Sequence, residues 1–363
     1  MAPAKFRIGY WLASTEKSFS PENDSTVPLF THLYYAFLQV QEGTGELIIP
    51  PELEEDMRSF VNCAHDKNKK ALVSIGGPKT KTDDPSSAIS MMARSADKRN
   101  KFVESTLAFA KDFGFDGFEL AWEYPKTKNE MRNLSNLFSG WKSSLKSSKD
   151  DTKNLLLSIA VYCKPIIPNI SSNQEIKYPH ELENYVDIFN IILYNYCPVT
   201  CQHSQFNPSN PGPNNSSEDS IKSWTTTSGF STYKLVMGIP LYGQKWILGD
   251  QKDISIGAPT IAYVGPVAYK DIPDPEGGIF DKEVTKCMYK ADKTTWYGYE
   301  ATSSITEKVD YANKHLGGYF LYAIGDDDDD RTMCTAAAGI KYYRSHIIVT
   351  TKNLTFSHNK ICD

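Results

Sequence analysis

The sequence predicts an α/β protein built as a (β/α)8 barrel with a small α+β insertion. Eight apolar runs of β-type composition recur along the 363 residues, amphipathic segments lie between them, and one interval is much longer than the others. Alternating strands and helices are typical of parallel sheets, and eight such units favour a closed barrel over an open doubly wound sheet, which is the alternative. The runs begin near Phe6, Leu33, Lys70, Asp116, Asn154, Asp187, Lys234 and Gly318.

The segments between the runs carry apolar residues at helical spacing, which predicts helices around the barrel. Gly114 follows the second helical face, at the position where a left-handed residue commonly ends a helix, and Gly317 follows the last one. The four faces are Leu53, Met57, Phe60, Val61 and Ala64; Phe102, Leu107, Ala110 and Phe113; Met131, Leu134, Phe138, Trp141 and Leu145; and Ile305, Val309, Ala312 and Leu316.

The long interval between the seventh and eighth runs exceeds what one helix and two loops need. Within it, residues 244–302 contain alternating β-type runs such as Thr260–Val264 and Thr295–Tyr299. We therefore expect an α+β insertion over residues 244–302, placed between the seventh strand and its helix. The barrel itself then comprises residues 1–243 and 303–363.

The predicted fourth strand brings two carboxylates to one face. Side chains alternate at period 2 along a strand, so Glu119, Ala121 and Glu123 share a face while the apolar positions between them, including Trp122, share the other. The apolar face suits packing against helices, so the acidic face points into the barrel. Glu123 then lies at the catalytic rim, where partial burial raises a carboxyl pKa and permits general acid catalysis. A salt-bridged glutamate at the barrel mouth is the alternative.

These segments resemble glycoside hydrolase family 18, and most closely the plant class V chitinases, over nearly the whole chain. The fourth-strand signature of that family is D-x-x-D-x-D-x-E followed by Tyr-Pro, and this chain has Asp116, Glu119, Ala121 and Glu123 before Tyr124-Pro125. The other matching segments are Gly9-Tyr10-Trp11, Ala36-Phe37, Ser74-Ile75-Gly76-Gly77, Tyr194, Met237-Gly238-Ile239-Pro240-Leu241-Tyr242-Gly243 and Gly317-Gly318-Tyr319-Phe320.

The resemblance implies substrate-assisted hydrolysis of chitin, in which Glu123 would protonate the glycosidic oxygen. The 2-acetamido oxygen of the substrate replaces a protein nucleophile, and the Asp two residues before the Glu orients and stabilises it. This chain has Ala121 there, and a methyl group can neither accept the amide N–H nor offset positive charge. Glu119 lies four residues from Glu123, roughly 13 Å along a strand, and cannot substitute. Loss of one such group lowers rates on the order of 10²–10³-fold.

Three further positions depart from the family pattern. Asn195 follows Tyr194 where the family has Asp, Gln244 stands in place of an Arg, and Tyr322 aligns with the Trp that forms the floor under the reacting sugar. Four departures in one cleft predict an inactive or weakly active chitinase homologue.

The predicted sugar-binding groove is rich in aromatic residues, which offer an apolar face and a polar tip to a sugar ring. The backbone turn at Gly77 permits close approach of a ligand. Core packing is the alternative for each aromatic residue. The candidate binding residues are Tyr10, Phe37, Gly77, Tyr242, Gln244, Trp246, Trp296 and Tyr322.

Three functions compete on this fold. A lectin-like glycan-binding protein would bind N-acetylglucosamine oligomers or another glycan with little turnover. A weak or retuned hydrolase would still use Glu123 as general acid. A protein-binding inhibitor or a storage protein would have a blocked cleft and no affinity for sugars.

Composition narrows the remaining classes. The net charge of −5 argues against a diffuse nucleic-acid surface, and no apolar stretch approaches the ~20 residues of a membrane helix. Neither a cofactor nor a metal site is expected, because the seven Cys and seven His lack ligand spacing, although Cys197 and Cys201 are close enough to bridge. Asp326–Asp330 is expected to be a solvated loop, with a cation site or a patch that attracts a basic partner as the alternatives. The oligomeric state is not predicted.

Several Asn-x-Ser/Thr sequons are typical of a secreted glycoprotein, but the first residues contain no apolar signal core, so an intracellular protein is the alternative. The resemblance to the plant chitinases implies an extracellular or vacuolar location and a role in plant defence. The sequons begin at Asn23, Asn133, Asn169, Asn214, Asn215 and Asn353.

Overall fold

A computed structural model describes residues 5–13, 26–79, 85–168, 175–195, 216–282 and 285–340. Eight parallel strands form a closed TIM barrel, because β1 pairs with both β2 and β8. The strands are β1 (Phe6–Leu12), β2 (His32–Val40), β3 (Lys70–Gly77), β4 (Gly117–Trp122), β5 (Leu156–Val161), β6 (Ile188–Ile191), β7 (Leu235–Pro240) and β8 (Gly318–Tyr322). Each begins within two residues of its predicted start, which confirms the predicted fold class.

Two apolar layers hold the barrel together. Inside it, Ile8, Leu72, Ile188, Val236 and Phe320 form a buried cluster contributed by different strands. The outward faces of the strands pack against the helices in a larger cluster. Strands buried on both faces explain why the runs read as continuously apolar instead of alternating.

The helices surround the barrel and bury the faces that the spacing predicts. Gly114 has φ of 83° directly after the helix Ala96–Phe113, and its amide donates to the carbonyl of Ala110, so it ends the helix as expected. Leu316 ends the helix Thr302–His315 differently, with extended backbone before Gly317. The helices are α1 (Glu54–Asp66), α2 (Pro85–Arg94), α3 (Ala96–Phe113), α4 (Lys128–Ser147), α5 (Ser217–Lys222), α6 (Thr302–His315) and α7 (Thr332–Ala337).

Between β7 and α6 the chain forms a separate five-stranded antiparallel sheet. Its spatial order is Thr260–Ala268, Tyr242–Leu248, Thr295–Tyr299, Met288–Asp292 and Ile279–Phe280. The first of these strands in the chain begins two residues before the predicted boundary at residue 244. The helical content of its described residues is limited to short 3-10 turns at Tyr269–Asp271 and Pro275–Gly277. We call this sheet with its turns the insertion.

The five consecutive aspartates are not a uniformly solvated loop, which corrects the sequence-based expectation. Asp327 is buried and its carboxylate accepts hydrogen bonds from the backbone amides of Met333 and Cys334 at 3.1 and 2.8 Å. Asp328 accepts from the Thr332 amide at 2.8 Å. These carboxylates satisfy the free amides at the start of α7, and only Asp329 and Asp330 are exposed.

Several sequence-based expectations concern residues outside the described ranges. Cys197, Cys201 and Cys362 are among them, as are all the sequons except the one at Asn133. Four of the seven cysteines lie in the described ranges and are buried: Cys63, Cys163, Cys287 and Cys334. Within the described ranges, no group of His, Cys, Asp and Glu could hold a metal ion and no helix is long and apolar enough to cross a membrane.

Candidate active site

The side chains of β4 alternate as predicted. Trp122 is 2% exposed and belongs to the outer apolar cluster, and the ring of Phe118 lies 5.4 Å from that of Trp141 on α4. Glu119 and Ala121 occupy the opposite phase and are also buried. Glu123 follows the last residue of β4, so the strand carries it to the carboxyl-terminal end of the barrel.

Glu119 is held deep in the barrel by three side-chain donors. The hydroxyls of Tyr10 and Ser74 donate to its two oxygens at 2.5 Å each, and the Asn190 amide donates at 2.7 Å. Burial raises the pKa of Glu119, and the three hydrogen bonds oppose that rise. Because both of its oxygens are hydrogen-bonded, Glu119 cannot move to supply the carboxyl group that is missing at Ala121.

Glu123 is the acidic group of the rim, and it is only partly buried. Burial, followed by repulsion from Glu119, raises the pKa of Glu123 from 4.5 to about 7. Its backbone carbonyl accepts a hydrogen bond from Ser86 at 2.8 Å. No side chain in the described part of the chain hydrogen-bonds its carboxyl group. Below about pH 7 this carboxyl therefore carries a proton that it can donate to a ligand.

A cavity of about 270 Å³ opens beside Glu123, close to the small end of the range of ~300–1,000 Å³ typical of ligand pockets. Its wall consists of residues that follow the ends of the barrel strands, together with Tyr242 at the start of the insertion. The lining residues are Pro78, Glu123, Tyr124, Tyr162, Cys163, Ile192, Tyr194, Asn195, Tyr242 and Tyr322.

The five tyrosines of this wall contact one another in two groups. The ring of Tyr322 lies 6.1 Å from that of Tyr194, with 27° between the planes, and Tyr242 contacts both rings edge-on. Tyr124 and Tyr162 form a second pair, with centroids 5.2 Å apart and planes at 75°. Tyr194 is buried and the other four are half-buried, so the wall offers a ligand both ring surface and hydroxyl groups.

Two residues that depart from the family pattern, Asn195 and Gln244, are linked to each other and to two tyrosines by hydrogen bonds. The Asn195 carbonyl oxygen accepts from the Tyr242 hydroxyl at 3.0 Å and from the Gln244 amide at 2.9 Å. The Tyr263 hydroxyl donates to the other end of Gln244 at 2.6 Å. Asn195 and Gln244 therefore join the rim of β6 to the insertion without any formal charge.

Six of the eight predicted binding residues are not among the described residues that line the cavity, and for Trp246, Trp296 and Tyr10 burial elsewhere corrects the assignment. Trp246 and Trp296 are 0% exposed and pack against each other inside the insertion, because alternation along their paired strands turns both rings into its own small core. Tyr10 is buried below the cavity floor, where its hydroxyl serves Glu119 and its ring contacts Tyr322 at 5.4 Å.

Phe37 packs against Tyr322 of the cavity wall, and Gly77 lies against the Phe37 ring. The Phe37 ring lies 6.4 Å from that of Tyr322. Gly77 has φ of 100°, and a Cβ atom there would approach the Phe37 ring to 2.7 Å, so only glycine permits this contact. Neither residue is among the described residues that line the cavity.

Five lining residues escaped the sequence analysis as ligand contacts: Pro78, Tyr124, Tyr162, Cys163 and Ile192. Each directly follows the end of a barrel strand or lies within two residues of it. The position rule for barrel active sites could have found them, because the loops after the strands build the site in this fold.

Comparison with known proteins agrees with this geometry. Residues 7–327 match the family described as glycosyl hydrolases family 18. This chain belongs to glycosyl hydrolase family 18. The class V chitinase CHIT5 of Lotus japonicus is 32% identical over 338 residues, which covers 89% of this chain and 83% of that protein.

Two solved structures with similar folds are named for different functions, one as a chitinase and one as an agglutinin. A class V chitinase variant from Nicotiana tobaccum in complex with NAG4 has a TM-score of 0.81 and 27% identity, covering 92% of this chain and 98% of that one. The chitinase-like agglutinin RobpsCRA from Robinia pseudoacacia has a TM-score of 0.80 and 30% identity, covering 93% of this chain and 99% of that one. The fold and cleft of this family are therefore compatible with both names.

Proposed function

We propose that this protein is a chitinase-like, glycan-binding lectin whose hydrolysis of chitin is lost or strongly reduced. The observation that carries the proposal is the isolation of Glu123. A competent acid in this cleft needs a neighbouring carboxylate to hold the acetamide group and stabilise the cationic intermediate. Ala121 supplies only a methyl group, and Glu119 is fully engaged by Tyr10, Ser74 and Asn190.

The binding function is supported by the cavity itself. Five tyrosines and a polar rim are suited to sugar rings, which present both apolar faces and hydroxyl groups. The related tobacco structure contains NAG4, and the related Robinia protein is called an agglutinin. An oligosaccharide is accordingly the partner that we propose.

Isothermal titration calorimetry with a hexamer of N-acetylglucosamine tests binding and turnover together. We expect a saturating isotherm without continuing heat. Sustained heat accompanied by shorter oligomers would contradict the loss of hydrolysis. A flat trace would contradict binding of this glycan and favour the protein-binding alternative.

Restoring the missing carboxylate tests the chemical argument. We expect Ala121→Asp to raise chitin hydrolysis by on the order of 10²–10³-fold, since the electrostatic support that it adds acts directly on the transition state. Ala121→Asn is the matched control, because it has nearly the same volume without the charge and should leave hydrolysis low. Equal rates in the two variants would contradict the role assigned to the carboxylate.

A weak or retuned hydrolase is the second candidate, and the pKa of Glu123 favours it. A carboxyl with a pKa of about 7 stands near the optimum for general acid catalysis at neutral pH. On this alternative, any residual hydrolysis should disappear in Glu123→Gln and decline as the pH rises through 7. Residual activity that persists in Glu123→Gln would indicate a contaminating enzyme.

A further inference from the structure

The cavity beside Glu123 combines aromatic faces with an acidic group, and its described lining carries no positively charged side chain. Its ten described lining residues include five tyrosines and one carboxyl group, but no Lys, Arg or His. The face of an aromatic ring carries negative electrostatic potential and attracts a cation placed within about 6 Å of its centre. Such a cavity favours a cationic ligand over an anionic or neutral one.

The arrangement of the rings suits a small cation. Tyr194 and Tyr322 present nearly parallel rings, and Tyr242 closes the same group edge-on. Tyr124 and Tyr162 add rings in two nearly perpendicular orientations. Several ring faces and edges therefore surround one space of about 270 Å³.

The charge of Glu123 is not balanced by the described surroundings. Glu119, which repels it, is deeper in the barrel. Asp326, in the turn after β8, adds negative potential at Tyr242 and Tyr322. The nearby Lys270 donates at 2.7 Å to the carbonyl of Gly325 and does not line the cavity. A ligand cation beside Glu123 would offset the penalty of burying that carboxylate.

Ala121 acts in the same direction by disfavouring an acetamide group. Its methyl side chain offers no acceptor to an amide N–H, so an N-acetylated sugar loses a hydrogen bond where its acetamide would lie. A protonated amine also donates hydrogen bonds, and the lining offers it the Glu123 carboxylate and the tyrosine hydroxyls as acceptors.

From these features we infer that the cavity holds the protonated primary amine of an amino sugar, which makes N-deacetylated glucosamine oligomers its preferred ligands. This inference rests on the proposed glycan binding and specifies the class of glycan. The amine would lie between the Glu123 carboxylate and the rings of Tyr194 and Tyr322.

Calorimetric titration with the glucosamine trimer and the N-acetylglucosamine trimer, at pH 7 and moderate salt, tests the inference. We expect the wild-type protein to bind the amine form at least about tenfold more tightly, a ratio equivalent to ~1.4 kcal/mol. Glu123→Gln should reduce this preference to roughly twofold or less. Tyr322→Leu should also weaken binding of the amine form, while Tyr322→Phe, which keeps the ring, should preserve the preference.

A control variant separates the cavity from the acidic surface. Glu104 is exposed on α3, so Glu104→Gln changes the net charge equally and should keep the preference intact. A preference that survives in Glu123→Gln would overturn the inference by placing the amine elsewhere. Equal binding of both trimers would overturn the inference but leave glycan binding standing. No binding of either trimer would overturn both, and circular dichroism of each variant excludes unfolding as the cause.

Discussion

At the scale of the residue, Glu123 lines a tyrosine-rich cavity whose other described lining residues contain no carboxyl group. Its raised pKa arises mainly from burial and secondarily from Glu119. The deeper Glu119 has the opposite character, because three donors bind it. Two carboxyl groups on one strand face are thus assigned different roles by their surroundings.

The raised pKa of Glu123 predicts a pH-dependent stability penalty. Because the folded pKa of about 7 exceeds the ordinary 4.5, the unfolded chain loses this proton at lower pH than the folded one. The favourable contribution of this group to the free energy of unfolding is therefore complete below pH 4.5 and is lost as the pH rises to 7. The free energy of unfolding of Glu123→Gln, taken relative to wild type, should therefore be roughly 1–3 kcal/mol higher at pH 8 than at pH 5. Denaturant unfolding at both values measures this difference.

Glu104→Gln is the control for that experiment, because it removes one exposed carboxyl group on α3 by the same substitution. An equal gain for Glu123→Gln at pH 5 and pH 8 would contradict the assigned pKa.

Removing one donor from Glu119 should destabilise the barrel. Ser74→Ala deletes the hydroxyl 2.5 Å from this buried carboxyl group and leaves the oxygen partly unsatisfied. We expect a loss of roughly 1–3 kcal/mol in the free energy of unfolding, measured with urea. Ser143→Ala on the exposed face of α4 should change it by less than about 0.5 kcal/mol. Similar effects of the two substitutions would count against the network.

At the scale of the element, the ends of the strands position the cavity residues, and side chains at the ends of the helices satisfy free backbone groups there. Each strand delivers its last residues to the same end of the barrel, so Pro78, Glu123 and Tyr322 meet although they are distant in sequence. Asp327 illustrates the second role, because its carboxylate satisfies amides at the start of α7.

Two glycines next to or within helices should respond in opposite ways to alanine. Gly114→Ala places a side chain at φ of 83°, which should cost about 1–2 kcal/mol of stability, although a Cβ would meet only Val61 at 3.4 Å. Gly140→Ala lies inside α4 with open space around it and should stabilise by about 0.5–1 kcal/mol. Thermal unfolding of both variants checks these signs, and destabilisation by Gly140→Ala would contradict the helix assignment.

At the scale of the whole molecule, a buried ionic cluster joins the insertion to the barrel helix α6. Lys308 on α6 and Glu300, just after the strand Thr295–Tyr299, are 1% and 2% exposed and form an ion pair. The ammonium group of Lys308 also lies 3.2 Å from the sulfur of Cys287. These contacts connect α6 to residues at the ends of two strands of the insertion.

Breaking this ion pair should be strongly destabilising. Lys308→Met leaves the carboxylate of Glu300 buried without its cation, which should cost about 3–5 kcal/mol in unfolding free energy. The double variant Lys308→Met with Glu300→Leu should recover most of that loss, because it removes both charges. A cost below about 1 kcal/mol for the single variant in urea unfolding would argue that water reaches the cluster.

Most of the barrel and the position of Glu123 at the end of β4 were predictable, because the patterns that encode them are local. Period-2 alternation alone orients Glu119, Ala121 and Trp122 on β4, and the end of the strand locates Glu123. The spacing of apolar residues likewise locates the helices. The absence of an acid at Ala121 is likewise visible in the sequence, and the reduced hydrolysis that it predicts stays a prediction. The extracellular or vacuolar location also stays a prediction.

Long-range contacts decided the rest, because a sequence pattern does not state which distant residues meet. Only the tertiary structure assigns Trp246 and Trp296 to the core of the insertion and directs the Tyr10 hydroxyl to Glu119. Only it brings Tyr124 and Tyr162 to the cavity wall with Tyr322. The physical reason is that burial and electrostatic environment depend on packing between elements, whereas strand phase and helix spacing depend on neighbouring residues.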